Sequence, residues 1–330
     1  MKIGVIGGHG HFTIRHLPGA EFAWAADGYD DAAHAQSAAL GGTQVFSDPE
    51  KLLSEFSPDL IYVGSVYAHN GRLAEWALEQ GLPVVTEKPM ASDFATLERI
   101  ARLTAAGPGI IAEQTMRWLP AFIKVRNIVR EGLIGEPIMV QAQKSYKFGD
   151  RRPSFYRRRE EFGGIIPWVA IHAIDFVFRC TGLRYEAVSA HHGNRNSPAY
   201  PEMEDFAMMT FLMKGGVPCV ITADFLRPSG AGSHGDDRLR ITGTEGVVEI
   251  RGDDVFLITN RGEESLILES SDLNWENVSR DMVNAALRRD ESMITPEECL
   301  HVTSAALAAR EAADTRHWQE IPSHLGPLNP

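Results

Sequence analysis

Short apolar runs alternate with stretches of helical periodicity through the first third of the chain. KIGVIG, EFAWAAD, LIYVGS, LPVVTE and GIIAEQ read as strands, and AAHAQSAAL, PEKLLSEF, NGRLAEWALEQG and DFATLERIARLTAAG read as helices between them. The last two helical runs stop at glycine, a common helix C-terminus. The strand runs are apolar throughout and do not alternate, so both faces are covered, which predicts a parallel βαβ sheet. The pattern changes near Pro120. A helix (AFIKVRNIVREGL) and a strand (PIMVQAQKSY) precede a basic loop and a second helix from Pro167. Alternating strands then follow between about 184 and 260: DFAMMTFLM, VPCVITADFL, RLRITG, GVVEIRG and DVFLIT, joined by Gly-rich turns. Period-2 alternation with short connections predicts an antiparallel or mixed sheet with one wet face. Helices near 275–289 and 296–314 and an extended tail, IPSHLGPLNP, complete the chain.

The expected fold class is therefore α/β. A doubly wound parallel sheet occupies residues 1–118, and an α+β domain with an open, mostly antiparallel sheet occupies 119–330. A length of 330 residues suits two such domains. The net charge of −12 argues against nucleic acid or an anionic membrane as the main partner. Cys180, Cys219 and Cys299 are scattered without CxxC spacing, which suggests neither a disulfide framework nor a zinc site and fits a reducing cytoplasm. No signal-peptide pattern and no membrane-length apolar run is expected.

Candidate chemistry lies in three motifs and one basic loop. The first strand ends in GGHGHF, residues 7–12, a glycine turn of the kind that brings backbone close to a dinucleotide. Reading G-x-G-x-x-G from Gly7 puts His9 and Phe12 at the second and third glycine positions, beside Gly8, Gly10 and His11. A glycine turn without a ligand is the plain alternative. Asp27, closing the second strand, can accept from ribose hydroxyls, and no arginine follows it to meet a 2′-phosphate, so NAD is expected over NADP. The fourth strand ends in TEKP, residues 86–89. Lys88 there can stabilise alkoxide charge at the carboxyl edge of the sheet, where such folds bind ligands.

The third motif is GGIIPWVAIHAID, residues 163–175. At helical spacing Trp168, Ile171, His172 and Asp175 share a face, and the opposite flank is apolar as well. A buried helix must satisfy its polar groups. The plain reading is a core histidine beside a carboxylate; the other is an acid/base histidine facing a cavity.

The Gly-rich turn, Asp27, Glu87-Lys88-Pro89, RWLPAFIKVRNIVREGLIGEP at 117–137 and GG-x8-H-x2-D together resemble the Gfo/Idh/MocA oxidoreductases over nearly the whole chain. The resemblance implies a Rossmann domain and an α/β domain whose open sheet builds homodimers or homotetramers, with NAD(P) and a sugar or cyclitol hydroxyl as reactants. It makes Lys88 and His172 the catalytic pair. The aspartate that the family often carries four residues before the histidine is here Trp168. Ser65 and Val66 stand where many members have Thr-Pro, beside the expected nicotinamide, and Asn70 stands where they often have histidine. Asp175 is expected to be structural, and Trp168 a core or sugar-stacking residue. A redox-neutral, NAD-assisted cleavage of glycosides and a non-catalytic sensor are the two rival readings that the resemblance leaves open.

The loop KSYKFGDRRPSFYRRREEFGG, residues 144–164, is the most basic segment. Lys144, Tyr146, Arg152, Tyr156 and Arg157 are candidates for contact with a carbohydrate-like substrate, an acidic or phosphorylated sugar included. Internal ion pairing is the alternative for each arginine. His191 and His192 have no partners at metal-ligand spacing, and no metal is expected.

Overall fold

The computed structural model describes residues 1–41, 44–149, 152–252, 254–268, 273–289 and 292–325. Residues 150 and 151 of the basic loop and 326–330 of the tail lie outside that set. The chain forms two compact units. One is Met1–Glu113 with Asn274–Thr303, the other Gln114–Leu273 with Ser304–Pro330. The strand pattern gave no sign that residues 274–303 would join the first unit.

The first unit holds β1 (Lys2–Ile6), β2 (Glu21–Ala25), α1 (Ala32–Ala39), β3 (Val45–Phe46), α2 (Pro49–Lys51, continued by wide turns over Leu52–Phe56), β4 (Leu60–Val63), α3 (Asn70–Glu79), β5 (Val84–Thr86), α4 (Phe94–Ala106) and β6 (Ile110–Ala112). Its six-stranded sheet has the order β3-β2-β1-β4-β5-β6, with every pairing parallel. That is the doubly wound order in which ligands sit beyond the strands' carboxyl ends. Buried β4, β5 and β6 explain the uniformly apolar runs. Local chemistry sets the helix ends: Asp93 caps α4 by accepting from the Thr96 amide at 2.8 Å. β3, two residues long, was not foreseen. Between β1 and β2 there is only a single 3₁₀ turn, Thr13–His16.

The second unit holds α5 (Pro120–Arg130), β7 (Pro137–Tyr146), α6 (Arg159–Phe162), α7 (Ile171–Thr181), β8 (Tyr185–Gly193), β9 (Phe206–Met213), β10 (Val217–Asp224), β11 (Gly235–Gly243), β12 (Gly246–Arg251), β13 (Asp254–Thr259) and β14 (Gly262–Leu266). α8 (Trp275–Ala286) returns to the first unit, α9 (Pro296–Thr315) runs from one unit into the other, and β15 (Gln319–Glu320) ends the described chain. The nine-stranded sheet runs β14-β13-β12-β11-β7-β10-β9-β8-β15 and is antiparallel except where β7 meets β10. Its short edge strands β14 and β15 carried too little periodicity to be foreseen.

Alternation gives this sheet two unlike faces. In β9 and β10, Met209, Phe211, Cys219 and Ile221 are buried, while Met208, Leu212 and Val220 are exposed. Register places Met208, Leu212 and Val220 on one face together with Met139 of β7. The apolar stretch Arg159–Thr181 is long enough to cross a membrane by composition, but its most apolar 18 residues are 94% buried inside the protein.

Candidate active site

The glycine turn after β1 is tight because its neighbours leave no room. Gly7 and Gly10 have φ of 84° and 106°, in the left-handed region. A Cβ on Gly8 would lie 2.1 Å from the Ala32 carbonyl at the start of α1, and one on Gly10 would lie 2.3 Å from Glu87 Cγ. His9 donates its amide to the Gly64 carbonyl, and its Nε2 lies 2.6 Å from Asp30. Phe12, expected at the cofactor, takes a core position instead. Its ring is 1% exposed and meets Phe22, Trp24 and Tyr62 edge-on.

Asp27 stands two residues beyond β2. Its Oδ1 accepts from the Tyr29 amide at 3.0 Å and its Oδ2 from Ser65 Oγ at 2.5 Å. Asn70 Oδ1 in turn accepts from the Ser65 amide at 2.9 Å. Ser65 and Asn70 thus belong to one relay that fixes the Asp27 carboxylate. Val66 beside them is buried.

Behind the turn the ends of β4, β5 and β6 converge on a buried polar cluster. Glu87 Oε1 accepts from the His11 amide at 2.5 Å and lies 2.6 Å from His11 Nδ1, and Glu87 Oε2 accepts from the Lys88 amide at 3.2 Å. Glu113 accepts from the Thr13 amide at 2.8 Å and from the Tyr62 hydroxyl at 3.1 Å. Tyr62 Oη also accepts from the Phe12 amide at 3.0 Å. Burial raises the Glu87 pKa, but adjacent His11 and then Lys88 outweigh it and hold the carboxylate ionised. Burial and the Glu87 charge push Glu113 up to about 8, so it keeps its proton at neutral pH. His11 is raised chiefly by the charge of Glu87. Ligand-type atoms of His11, Glu87 and Glu113 lie within 4.8 Å of one another, and the raised basicity of His11 and the proton kept by Glu113 offset the Glu87 charge at that distance.

Lys88 follows at the carboxyl end of β5, 2% exposed, before a cis peptide bond to Pro89. In the second unit, α7 begins after a wide π-type turn over Ile166–Ala170, where Pro167 lacks an amide to donate. This turn alters the spacing expected between Trp168 and His172. Both are buried, at 7% and 5% exposed. Asp175 has a clear occupation. It receives Arg117 Nε at 2.9 and 3.0 Å and Arg117 Nη2 at 2.5 Å, with both side chains at most 1% exposed. A fork-shaped cation matched to a carboxylate is the arrangement that can stay charged in a core.

The basic segment is largely committed to its own unit. Lys144 Nζ lies 2.7 Å from Asp237 Oδ2, 3.1 Å from Met116 Sδ and 4.6 Å from the centre of the Tyr146 ring. Burial lowers its pKa, but Tyr146 and Asp237 more than offset this, and it remains an ammonium. Arg152 donates to the Phe148 carbonyl and rests on the rings of Phe148, Tyr156 and Phe225. Tyr156, expected at the substrate, is instead fully buried and stacked on Phe155 and Phe162. Arg157 donates to the Ala199 carbonyl and covers Tyr200. Arg158 pairs with Glu160 and Glu161, while Arg159 pairs with Glu204 and Asp314. His192 joins that last network, 3.1 Å from Asp314. Lys144 and Tyr146 do line a cavity of about 580 Å³ together with Arg227, Asp236, Asp237 and Arg238.

The residues fit NAD in part. The turn after β1 is closed against its own neighbours as only glycine allows, and beyond β2 the Asp27 carboxylate is held in place by Ser65 and the Tyr29 amide, where a ribose hydroxyl could donate to it. Glu113, Tyr62, Arg117 and Asp237 were missed from sequence. Glu113 had one readable signal, an acid at the carboxyl end of a buried strand. Arg117 and Asp175 are too distant in sequence for any local period to join them.

Comparison with known proteins places these features among relatives. Residues 1–112 match the GFO/IDH/MocA oxidoreductase family with its NAD-binding Rossmann fold, and residues 122–249 match the GFO/IDH/MocA C-terminal domain. A solved oxidoreductase structure from Thermotoga maritima is 33% identical, covers 97% of this chain and 100% of its own, and superposes with a TM-score of 0.89. D-apiose dehydrogenase of Paraburkholderia graminis is 24% identical over 86% of this chain and 77% of its own length. Inositol 2-dehydrogenase 4 of Saccharopolyspora erythraea is 25% identical over 66% of this chain and 64% of its own length.

Proposed function

Because the chain belongs to the GFO/IDH/MocA oxidoreductase family, we propose that it oxidises or reduces a hydroxyl of an uncharged sugar or cyclitol with NAD. The observation that carries the assignment of roles is the Arg117–Asp175 pair. With Asp175 bound to a guanidinium, the proton chemistry of α7 falls to His172. NAD supplies the hydride acceptor when bound. Lys88 donates to the substrate oxygen and offsets the alkoxide charge that grows there. His172 takes the hydroxyl proton in oxidation and returns it in reduction. Trp168 offers a flat apolar wall and an indole N–H where an aspartate would have offered a second base.

Three further observations support the finer reading. The Asp27 carboxylate would repel a 2′-phosphate, which favours NAD over NADP. The arginines at 152 and 157–159 are bound to carbonyls, rings and carboxylates, and Lys144 is neutralised by Asp237, so the segment holds little spare charge for an acidic sugar. The exposed face carrying Met139, Met208, Leu212 and Val220 suits a second copy of the chain, giving a homodimer or homotetramer; Met208→Asp with Val220→Asp should yield monomers by light scattering. The function is tested by incubating the protein with NAD and a panel of neutral sugars, sugar acids and inositols while NADH absorbance and product are followed together. Net NADH with a neutral polyol is expected. NADH formation that survives both Lys88→Ala and His172→Ala would overturn the mechanism.

A further inference from the structure

A dinucleotide's diphosphate is ordinarily met by the free amides and positive dipole at the start of a long helix. In this chain neither is on offer. The helix after the glycine turn is only the four residues Thr13–His16. Three successive amides at its start are also taken by protein groups: His11 by Glu87, Phe12 by the Tyr62 hydroxyl and Thr13 by Glu113. An anion arriving at this turn therefore meets no helix start and finds these three amides already occupied.

We propose that the His11 imidazolium, braced by Glu87, receives the diphosphate of the cofactor in place of a helix N-terminus. The inference rests on the NAD reading above. His11 is the side chain placed for it. Its ring is 60% exposed, whereas the Glu87 carboxylate that holds Nδ1 is fully buried, so Nε2 is the nitrogen left to donate. His9, the other histidine of the turn, is held by Asp30. The close seat of Glu87 against Gly10 fixes the geometry, since any side chain at position 10 would strike it. The charged and titratable groups facing His11 are Glu87 and Lys88 beyond β5 and Glu113 beyond β6. Glu113 keeps its proton near neutrality, so the local charge is set by one carboxylate against the imidazolium and the lysine. Glu87 favours the cationic ring, and a bound diphosphate would favour it further.

The sign follows from that preference. Affinity for a diphosphate is full where His11 is protonated and declines as pH rises and the ring loses its charge. The test is the dissociation constant of NAD and of ADP-ribose, by calorimetry from pH 6 to 9, with adenosine as the ligand lacking phosphate. For the unaltered protein, NAD and ADP-ribose should weaken by roughly tenfold over that range, the worth of one hydrogen bond to a charged group, while adenosine stays flat. His11→Gln should bind NAD weakly at every pH with little slope. His11→Lys should bind well with no slope. Glu113→Gln should keep the slope. A slope that persists in His11→Gln and vanishes in Glu113→Gln, or NAD binding that is equal in His11→Gln and the unaltered protein, would overturn the role of His11 and leave the NAD reading standing. Absence of NAD and NADH binding at every pH would overturn the NAD reading itself.

Discussion

Two buried carboxylates, Asp175 and Glu87, are met by different partners. Asp175 sits in a core helix against Arg117, a guanidinium that never releases its proton in water. Glu87 sits behind the glycine turn between an imidazole and a second carboxyl group that still holds its proton. The first site is a fixed charge pair whose work is to hold α7 against the segment carrying Arg117. The second is a set of groups whose proton count changes within the working range of pH. One arrangement gives rigidity, the other tunability, although both read in the sequence as isolated acids.

Breaking the fixed pair should have the larger effect. Asp175→Asn leaves Arg117 charged in the core without its partner and should cost about 3 to 5 kcal/mol of stability, read as a fall in the denaturant midpoint. An equal loss from changing an exposed acid such as Asp314 would contradict the distinction. Tyr62→Phe removes the hydroxyl that joins the Phe12 amide to Glu113 and should cost about 1 to 3 kcal/mol, since a buried donor is then unsatisfied.

The tunable site should reveal itself by its slope. Glu113 has a folded pKa above its unfolded value, so its contribution is fully present below about pH 4.5 and is lost as pH rises through about 8. His11, also raised, acts in the same direction at the upper end of that window. Stability should therefore fall by about 1.4 kcal/mol per pH unit for each proton released, measured by urea melts between pH 5 and 8. Glu113→Gln should flatten that slope, whereas Asp175→Asn should leave it intact.

The parallel sheet, the alternating sheet and the helices between them were legible because burial on two faces and on one face write different periods along the chain. The places of Asp27 and Lys88, each two residues past the end of a strand, were legible because apolar runs end where such strands do. The cluster behind the turn was not. Glu113 reaches the Thr13 amide across 100 residues and Arg117 reaches Asp175 across 58, and no local pattern records such pairings. The basic loop left two readings open. A run of arginines has the same composition whether it waits for a ligand or lies against its own carbonyls, and only the packing of Arg152 and Tyr156 separates the two.

The central claim is that His172, and not Asp175, carries the proton on α7. It is tested most directly by pre-steady-state NADH formation in His172→Asn, with the best neutral polyol and with the fold checked by thermal melting. The account predicts an unchanged melting profile and a rate lower by about 10² to 10⁴, the usual worth of a placed acid or base. A His172→Asn protein that forms NADH at the unaltered rate would contradict it.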